Sequence, residues 1–395
     1  MRRSTRSSCT APSSPMFDVV IVGGGPVGLY LAALLLQEGV SVRVLEQRHQ
    51  RENHSRAIGI HPPALNALDS VGVAAAMVGA GVQIRSGTAV SHGRTVGSMS
   101  FATVSDSFPF VLSLPQFMTE SVLERRVHDL DASALRRGTR VMEVTDDGGL
   151  VTVALAAPEE DGSGSQITAR LLVAADGARS LMRSLLDIPV LSKSYPDHYV
   201  MGDFAADCDH SEEAVLYLET GGIVESFPLP GKVRRWVVRM GSPAHGLDAG
   251  ELSRLVYQRT GVRPDPATNT MLSAFTPRST TACRLVAGRA VLIGDAAHEI
   301  SPIGGQGMNL GWLDAAELAP IICASLSGSQ VGWRLQDYAV RRSRAAVLAR
   351  RQAEVNMSLG RPLAPAFLGL RNLAMGAVAG LPAANRLVAR RFTMQ

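Results

Sequence analysis

The segment Phe17–Gly28, FDVVIVGGGPVG, restricts the fold of this chain more than any other feature. Its first half is a short apolar run with the composition of a buried parallel strand. Gly23, Gly25 and Gly28 then follow at GxGxxG spacing, and Val27–Glu38 reads as a helix closed by Gly39. Ser41–Glu46 is a second strand, so the chain opens as a βαβ unit with short connections. Each glycine has a separate duty: Gly23 permits the tight turn, Gly25 lets backbone approach a pyrophosphate, and Gly28 lets helix pack on strand. The turn holds Pro26 and Val27, and the helix start offers free N–H groups and a positive dipole end to phosphates. Glu46 ends the second strand eighteen residues after Gly28, with Gln47 behind it. A carboxylate there accepts hydrogen bonds from adenosine ribose hydroxyls and repels a 2′-phosphate, which suits FAD or NAD rather than NADP.

Two further motifs narrow the choice. Leu171–Ala175 is an apolar strand that runs into ADGARSLMR, with Asp176, Gly177, Ser180 and Arg183 in a DGxxSxxR pattern. Alone, this reads equally well as a turn with an acid at a helix start. The third stretch, AVLIGDAAHEISPIGGQGMNLG, places Asp295 just after another short buried strand, where it can meet the hydroxyls of a ribityl chain. Pro302, Gly304, Gly305 and Gly307 then force an irregular loop, and a helix begins near Met308. Such a helix start stabilises negative charge on a reduced flavin. NAD has no ribityl and needs no second loop, so the third motif decides for FAD.

The expected fold class is α/β: a Rossmann-like FAD-binding domain interleaved with an antiparallel-sheet substrate domain, plus C-terminal helices. Residues 17–185 and 287–345 form the first domain, with small substrate-side insertions around 75–115. Residues 186–286 carry strand-like segments at 198–206, 214–218, 222–228 and 233–240 and form the second. Residues 346–395 are a helical tail, and 1–16 a disordered one that leaves Met1 and Met16 both as candidate starts. No apolar run reaches the about 18–20 residues of a membrane span. Cys9, Cys208, Cys283 and Cys323 form no CxxC pair or local zinc knuckle, so no metal site is expected and a reducing, cytoplasmic setting fits. Residues 334–395 carry eleven Arg against Asp337 and Glu354. That basic tail is compatible with an anionic lipid surface, but the reading carried forward is a helical tail packed on the body with its arginine heads in water. No basic run is interleaved with aromatics as in a nucleic-acid-binding module.

Together the dinucleotide fingerprint, the DG pair Asp176–Gly177 and the GD pair Gly294–Asp295 resemble the FAD-dependent aromatic hydroxylases typified by 4-hydroxybenzoate hydroxylase, the group A flavoprotein monooxygenases. The resemblance spans about residues 17–345. It implies that Arg56 lies near the flavin or its phosphates, that Gln116 contacts the cofactor from a helix above, and that backbone around Val141 touches adenosine. It implies that Gly304, Gly305, Gln306, Gly307, Met308 and Asn309 line the isoalloxazine, and that Pro302 and Gly304 face flavin and substrate. It further implies NADH or NADPH as a transient reductant docking near Asp176–Arg183, O2 as co-substrate, and a flavin C4a-hydroperoxide that hydroxylates an aromatic or polyketide-like ring. Larger phenol-hydroxylase-like members carry a thioredoxin-like domain beyond this region. The tail PAFLGLRNLAMGAVAGLP looks more like that of the ubiquinone-biosynthesis and kynurenine hydroxylases, which points toward an apolar substrate.

The catalytic side chains stay open, because the flavin carries the chemistry. His298 reads as local packing beside the flavin loop. His61, Tyr217, Phe227 and Arg239, with Pro302, are candidate substrate contacts, although a helix-start histidine is more often at the surface and strand alternation turns half of such residues outward. A FAD-dependent dehydrogenase or reductase on an apolar or prenylated substrate, and a silent FAD-binding scaffold, are the competing functions. Halogenation is disfavoured: the only lysines are Lys193 and Lys232, and Trp236, Trp312 and Trp333 do not form a WxWxIP segment. Oligomeric state is not readable from this sequence.

Overall fold

The computed structural model describes residues 16–51, 57–156, 165–206, 212–244 and 246–395. Strand Met16–Val22 lies at the centre of an eight-stranded sheet, parallel to Gln166–Ala174 on one side and to Val42–Leu45 on the other. Gln166–Ala174 is in turn parallel to Ala290–Leu292, and Val42–Leu45 to Leu135–Arg136. Val19, Val20 and Ile21 are inaccessible to solvent, because helices cover one face of the parallel core and the strands Val141–Asp146 and Val151–Leu155 pack against the other. Helix Pro26–Gln37 buries Leu29, Tyr30, Leu31 and Leu35 against this sheet, together with Trp312 and Leu318 of the long helix Gln306–Leu326. Trp312 Nε1 donates to the carbonyl of Pro26 at 3.0 Å, locking the two helix starts together.

A second, seven-stranded sheet runs in the order Met271–Phe275, His198–Ala205, Val233–Met240, Val224–Leu229, Ala214–Tyr217, Ser86–Ser91, Arg94–Ser100. The four strand-like segments expected between 198 and 240 are all present. Two features differ from a sheet confined to 186–286. The hairpin 86–100 joins it through a parallel pairing of Ser86–Ser91 with Ala214–Tyr217. Val190–Ser194 and Arg278–Ala282 instead form a separate three-stranded sheet with His298–Glu299. Register between distant segments is a long-range choice, and neither local pattern nor turn chemistry announces it. Helix Ala249–Thr260, opened by a reciprocal capping box between Asp248 and Glu251, covers the far face of the large sheet with Leu252 and Val256.

Three further helices, Gly332–Leu359, Pro365–Gly380 and Pro382–Phe392, end the chain. Among the described residues no single helix is long and apolar enough to cross a membrane.

Candidate active site

The cradle is set by register. Val22 pairs with Leu45 and with Ala174, and Ala174 with Leu292, so four parallel strands end side by side. Gly23, Glu46, Asp176 and Asp295 therefore emerge at one edge, the crevice at the carboxyl ends where doubly wound sheets bind nucleotides. Gly23 adopts φ +111°, and a Cβ there would lie 2.3 Å from the carbonyl oxygen of Ala175, while one on Gly28 would lie 2.0 Å from that of Gly23. At Gly25 nothing stands within 4 Å of that position, which leaves its backbone open to the cavity. Helix Pro26–Gln37 starts there without a side-chain cap, so its first N–H groups are unpaired by protein side chains.

Glu46 is buried, and its carboxylate is already engaged. Oε2 accepts the Gly24 N–H at 2.8 Å, and Oε1 accepts the Arg48 N–H at 2.9 Å and its Nε at 3.0 Å. Burial opposes ionisation, but the bonds from Arg48 prevail and hold the group below the usual carboxylate range. Glu46 thus braces the glycine turn as well as lining the cavity. Asp176 Oδ2 accepts the Met182 N–H at 3.0 Å, while its Oδ1 is buried with no partner among the described residues. Burial raises its pKa. Asp295 receives no hydrogen bond from a described side chain or backbone group, and burial pushes its carboxyl up to about 6. The donorless Asp295 carboxyl and the unpartnered Oδ1 of Asp176 face one crevice and fit a ligand that brings hydroxyl donors, such as the ribityl chain of FAD.

Beside Asp295, Gly304 and Gly305 take φ +98° and +67°, and helix Gln306–Leu326 starts on Gly305 without a side-chain cap. Gly307, Met308 and Pro302 face the cavity with them, as do Gln47, Gln116, Val141 and Gly177. Gln306 and Asn309 do not. The Asn309 side chain accepts from the His61 N–H at 2.8 Å and donates to the carbonyls of Gly59 and Gly305 at 2.9 and 2.7 Å. Gln306 reaches the carbonyl of Phe392 at 3.5 Å. Both hold the loop in shape from behind. Arg56 lies outside the described residues.

A buried ion cluster underlies the GD pair, and the sequence reading did not find it. Asp314 Oδ2 accepts the Gly294 N–H at 2.9 Å and meets His298 Nε2 at 2.7 Å, and its Oδ1 accepts Arg342 Nε at 2.6 Å. Burial disfavours both charged forms, yet the Asp314 carboxylate raises the His298 pKa and the cation lowers that of Asp314. His298 thus sits in this buried cluster and does not line the cavity. The one signal for Asp314 was an acid on the otherwise apolar face of LGWLDAAEL.

From this cradle one cavity of about 2060 Å³ extends beneath the seven-stranded sheet. A single small ligand typically fills about 300–1,000 Å³, so this volume suits a dinucleotide plus a second molecule. Met201, Leu216, Phe227, Val237 and Phe275 form an apolar wall with Ile303 of the glycine loop. Phe227 lines the cavity, as the sequence reading expected of a roof residue. Tyr217 does not: it occupies the opposite pleat, stacked on Trp236 at 6.0 Å. Arg239 is also removed, because its Nε donates to Asp197 at 3.1 Å, in a pair that Arg361 shares at 2.8 Å. His61 is not at the surface; it is 1% exposed, lines the cavity and stacks on Phe392 at 5.6 Å. Burial drives its pKa down to about 4, so the ring is neutral at pH 7.

The wall carries one acid that the sequence reading missed. Glu225, on strand Val224–Leu229, points into the cavity with Phe227 and makes no hydrogen bond or ion pair among the described residues. Burial pushes its carboxyl up to about 7. Its parity with Phe227 in VESFPL was the available signal.

Comparison with known proteins gives concordant matches. A family described as FAD binding domain matches residues 16–353. The uncharacterized aromatic compound monooxygenase YhjG of Bacillus subtilis (strain 168) is 31% identical over 384 residues, covering 95% of this chain and 75% of that protein. The 6-methylpretetramide 4-monooxygenase of Streptomyces rimosus is 31% identical over 82% of this chain, which spans 59% of that protein. Among solved structures, p-nitrophenol 4-monooxygenase from Pseudomonas putida DLL-E4 superposes with a TM-score of 0.85 over 96% of this chain and 99% of that one, at 24% identity, which shows the shared fold. The anhydrotetracycline hydroxylase OxyS from Streptomyces rimosus gives 0.78 at 29% identity, over 96% and 76%.

Proposed function

From the premise that this chain belongs to the FAD-dependent aromatic monooxygenases of the 4-hydroxybenzoate hydroxylase type, we propose that it hydroxylates a phenolic ring of an aromatic or polyketide-like small molecule, with NADH or NADPH as reductant and O2 as co-substrate. One observation carries this reading: the cradle and an apolar chamber are a single cavity, and the chamber wall holds an unpaired carboxyl. The names of the relatives, among them a 6-methylpretetramide and a para-nitrophenol 4-monooxygenase, support a ring substrate. FAD, held by the Gly25–Val27 turn, Glu46, Asp176 and Asp295, supplies electron transfer and oxygen activation when bound.

The remaining work belongs to the chain's own side chains. Met201, Leu216, Val237 and Phe275 exclude water from the ring, which protects reactive species from side reactions. The Glu225 carboxylate accepts the phenolic proton, and a phenolate is more electron-rich than the phenol at the carbon to be hydroxylated. A base with a pKa of about 7 is matched to that transfer at neutral pH. Uncapped backbone N–H groups at Gln306 and Gly307 favour negative charge at the helix start beside the loop.

FAD-loaded enzyme should consume NADH or NADPH faster when a cognate phenol is added, take up O2 in equal amount, and release a product one oxygen atom heavier. Substrate-stimulated turnover without O2 uptake would favour the dehydrogenase reading, and no stimulation across a broad phenol panel would favour the scaffold. In the active enzyme, kcat/KM should rise with pH through about 7 as Glu225 ionises. Glu225→Gln should lose that rise and about 10²–10⁴-fold in rate while keeping its flavin absorbance. An unchanged pH profile in the variant would remove Glu225 from the proposal.

A further inference from the structure

The C-terminal helices do two things at once. Met375 and Ala379 of helix Pro365–Gly380 face inward, where Met375 packs on the cavity wall and the Ala379 methyl lies against Gly97 of the edge hairpin. Phe367, Leu370 and Leu373 fall three residues apart on the opposite face, and with Leu381 and Leu387 they are 61–72% exposed. Five large apolar side chains so close in sequence exceed the scattered singles that a soluble surface normally shows. The next helix, Pro382–Phe392, turns by 99° from the first, so the pair lies bent across the surface.

Charge accompanies this apolar stripe. From Val355 to Gln395 the chain has five Arg and no acid. Arg361 is spent on Asp197, and Arg371 donates to the carbonyls of Leu359 and Leu218. Arg386, Arg390 and Arg391 are exposed beside Leu387 and have no ion pair among the described residues. The same two helices form the cavity rim together with the end of helix Gly332–Leu359: Val378, Val388 and Val355 are each 42–52% exposed and also line the cavity, as Arg391 does.

We propose that helices Pro365–Gly380 and Pro382–Phe392 dock the mouth of the cavity onto an anionic lipid surface. An apolar stripe flanked by unpaired arginines is the arrangement by which an amphipathic helix lies in a bilayer interface. The mouth then opens on the hydrocarbon boundary, where an apolar ring substrate concentrates. A second copy of this chain is the poorer occupant, because a two-fold contact would set these arginines against their own copies with no acid to answer them.

The test is sedimentation of the FAD-loaded full chain with vesicles of phosphatidylcholine alone, or mixed equally with phosphatidylglycerol. Binding should be at least roughly tenfold tighter to the mixed vesicles and weaken with added salt. The double variant Leu370→Glu/Leu373→Glu, and separately Arg386→Glu/Arg390→Glu, should lose it while keeping flavin absorbance and turnover of a water-soluble phenol. Equal or absent binding to both vesicles overturns the proposal. So does a dimer in light scattering that the leucine double variant dissociates, which would make this face a self-interface. Neither result bears on the hydroxylase reading, because the varied side chains lie outside the cavity.

Discussion

Asp295→Ala should emerge from purification largely colourless, and its flavin-free form should melt higher than flavin-free wild type near neutral pH. The two effects share one cause. The carboxyl sits recessed in the cavity with no protein donor, and burial raises it to about 6 from an ordinary 3.8. In the folded apo-protein, ionising it costs on the order of 3 kcal/mol more than in the unfolded chain. For an acid with a raised value the penalty is absent below the unfolded pKa, grows between about 4 and 6, and stays constant above. Removing the group therefore stabilises the apo-protein above pH 6, and the difference should vanish near pH 4 in calorimetric melts. With flavin present the sign reverses. Hydroxyl donors from the ligand satisfy the carboxylate, and losing bonds to a charged group worth about 1.5–3 kcal/mol weakens affinity by roughly ten- to a hundredfold. Full yellow absorbance in the variant, or an apo-protein that melts lower than wild type, would refute this account of Asp295.

Asp314→Ala should have the larger effect on the fold. The substitution leaves His298 and Arg342 buried without their shared anion and frees the N–H of Gly294. Breaking one side of a buried ion cluster costs about 3–5 kcal/mol. With an unfolding entropy of about 2.1 cal/mol/K per residue, that corresponds to a Tm loss of roughly 4–6 °C in a chain of 395 residues. The pH dependence has a definite sign. His298 is raised, so its contribution is complete below its unfolded value of 6.5 and is lost as pH climbs through the folded one. Asp314 is lowered, so its contribution is present above 3.8 and is lost as pH falls through the folded value. The deficit of the variant should thus be greatest between these limits and narrow on either side in urea titrations. Flavin affinity should fall as well, because the Gly294 amide anchors the turn that carries Asp295. A variant as stable as wild type across this range would show that the cluster is not holding the GD turn.

The parts of this protein that were legible in its sequence are those set by neighbouring residues. Gly23, Gly25 and Gly28 are dictated by a turn, an open approach and a helix contact, and the structure shows the close approaches that exclude a side chain at Gly23 and Gly28. The strands at 16–22, 166–174 and 290–292 each end in a short apolar run, 17–22, 171–174 and 290–292, that leads into its motif, so the class of fold followed from them. The four roof strands between 198 and 240 were likewise marked by their own composition and turns.

Residues whose meaning depends on a partner far along the chain were not legible. Tyr217 and Phe227 looked alike as roof aromatics, but the pairing of 214–217 with 86–91 on one side and 224–229 on the other turned the first outward and left the second facing the cavity. Arg239 was a candidate substrate contact until Asp197 was placed beside it, and Glu225 drew no notice until burial isolated it. The tail read as helices packed on the body, but only the tertiary structure made their inner face a wall of the cavity. The amino-acid sequence alone determined a dinucleotide turn, three motif-bearing strands and their cofactor class, because backbone sterics and apolar runs act within a few residues. Tertiary structure alone decided which side chains share the chamber, because sheet register and burial are settled between segments far apart in the chain, such as 86–91 and 214–217, where no local preference reaches.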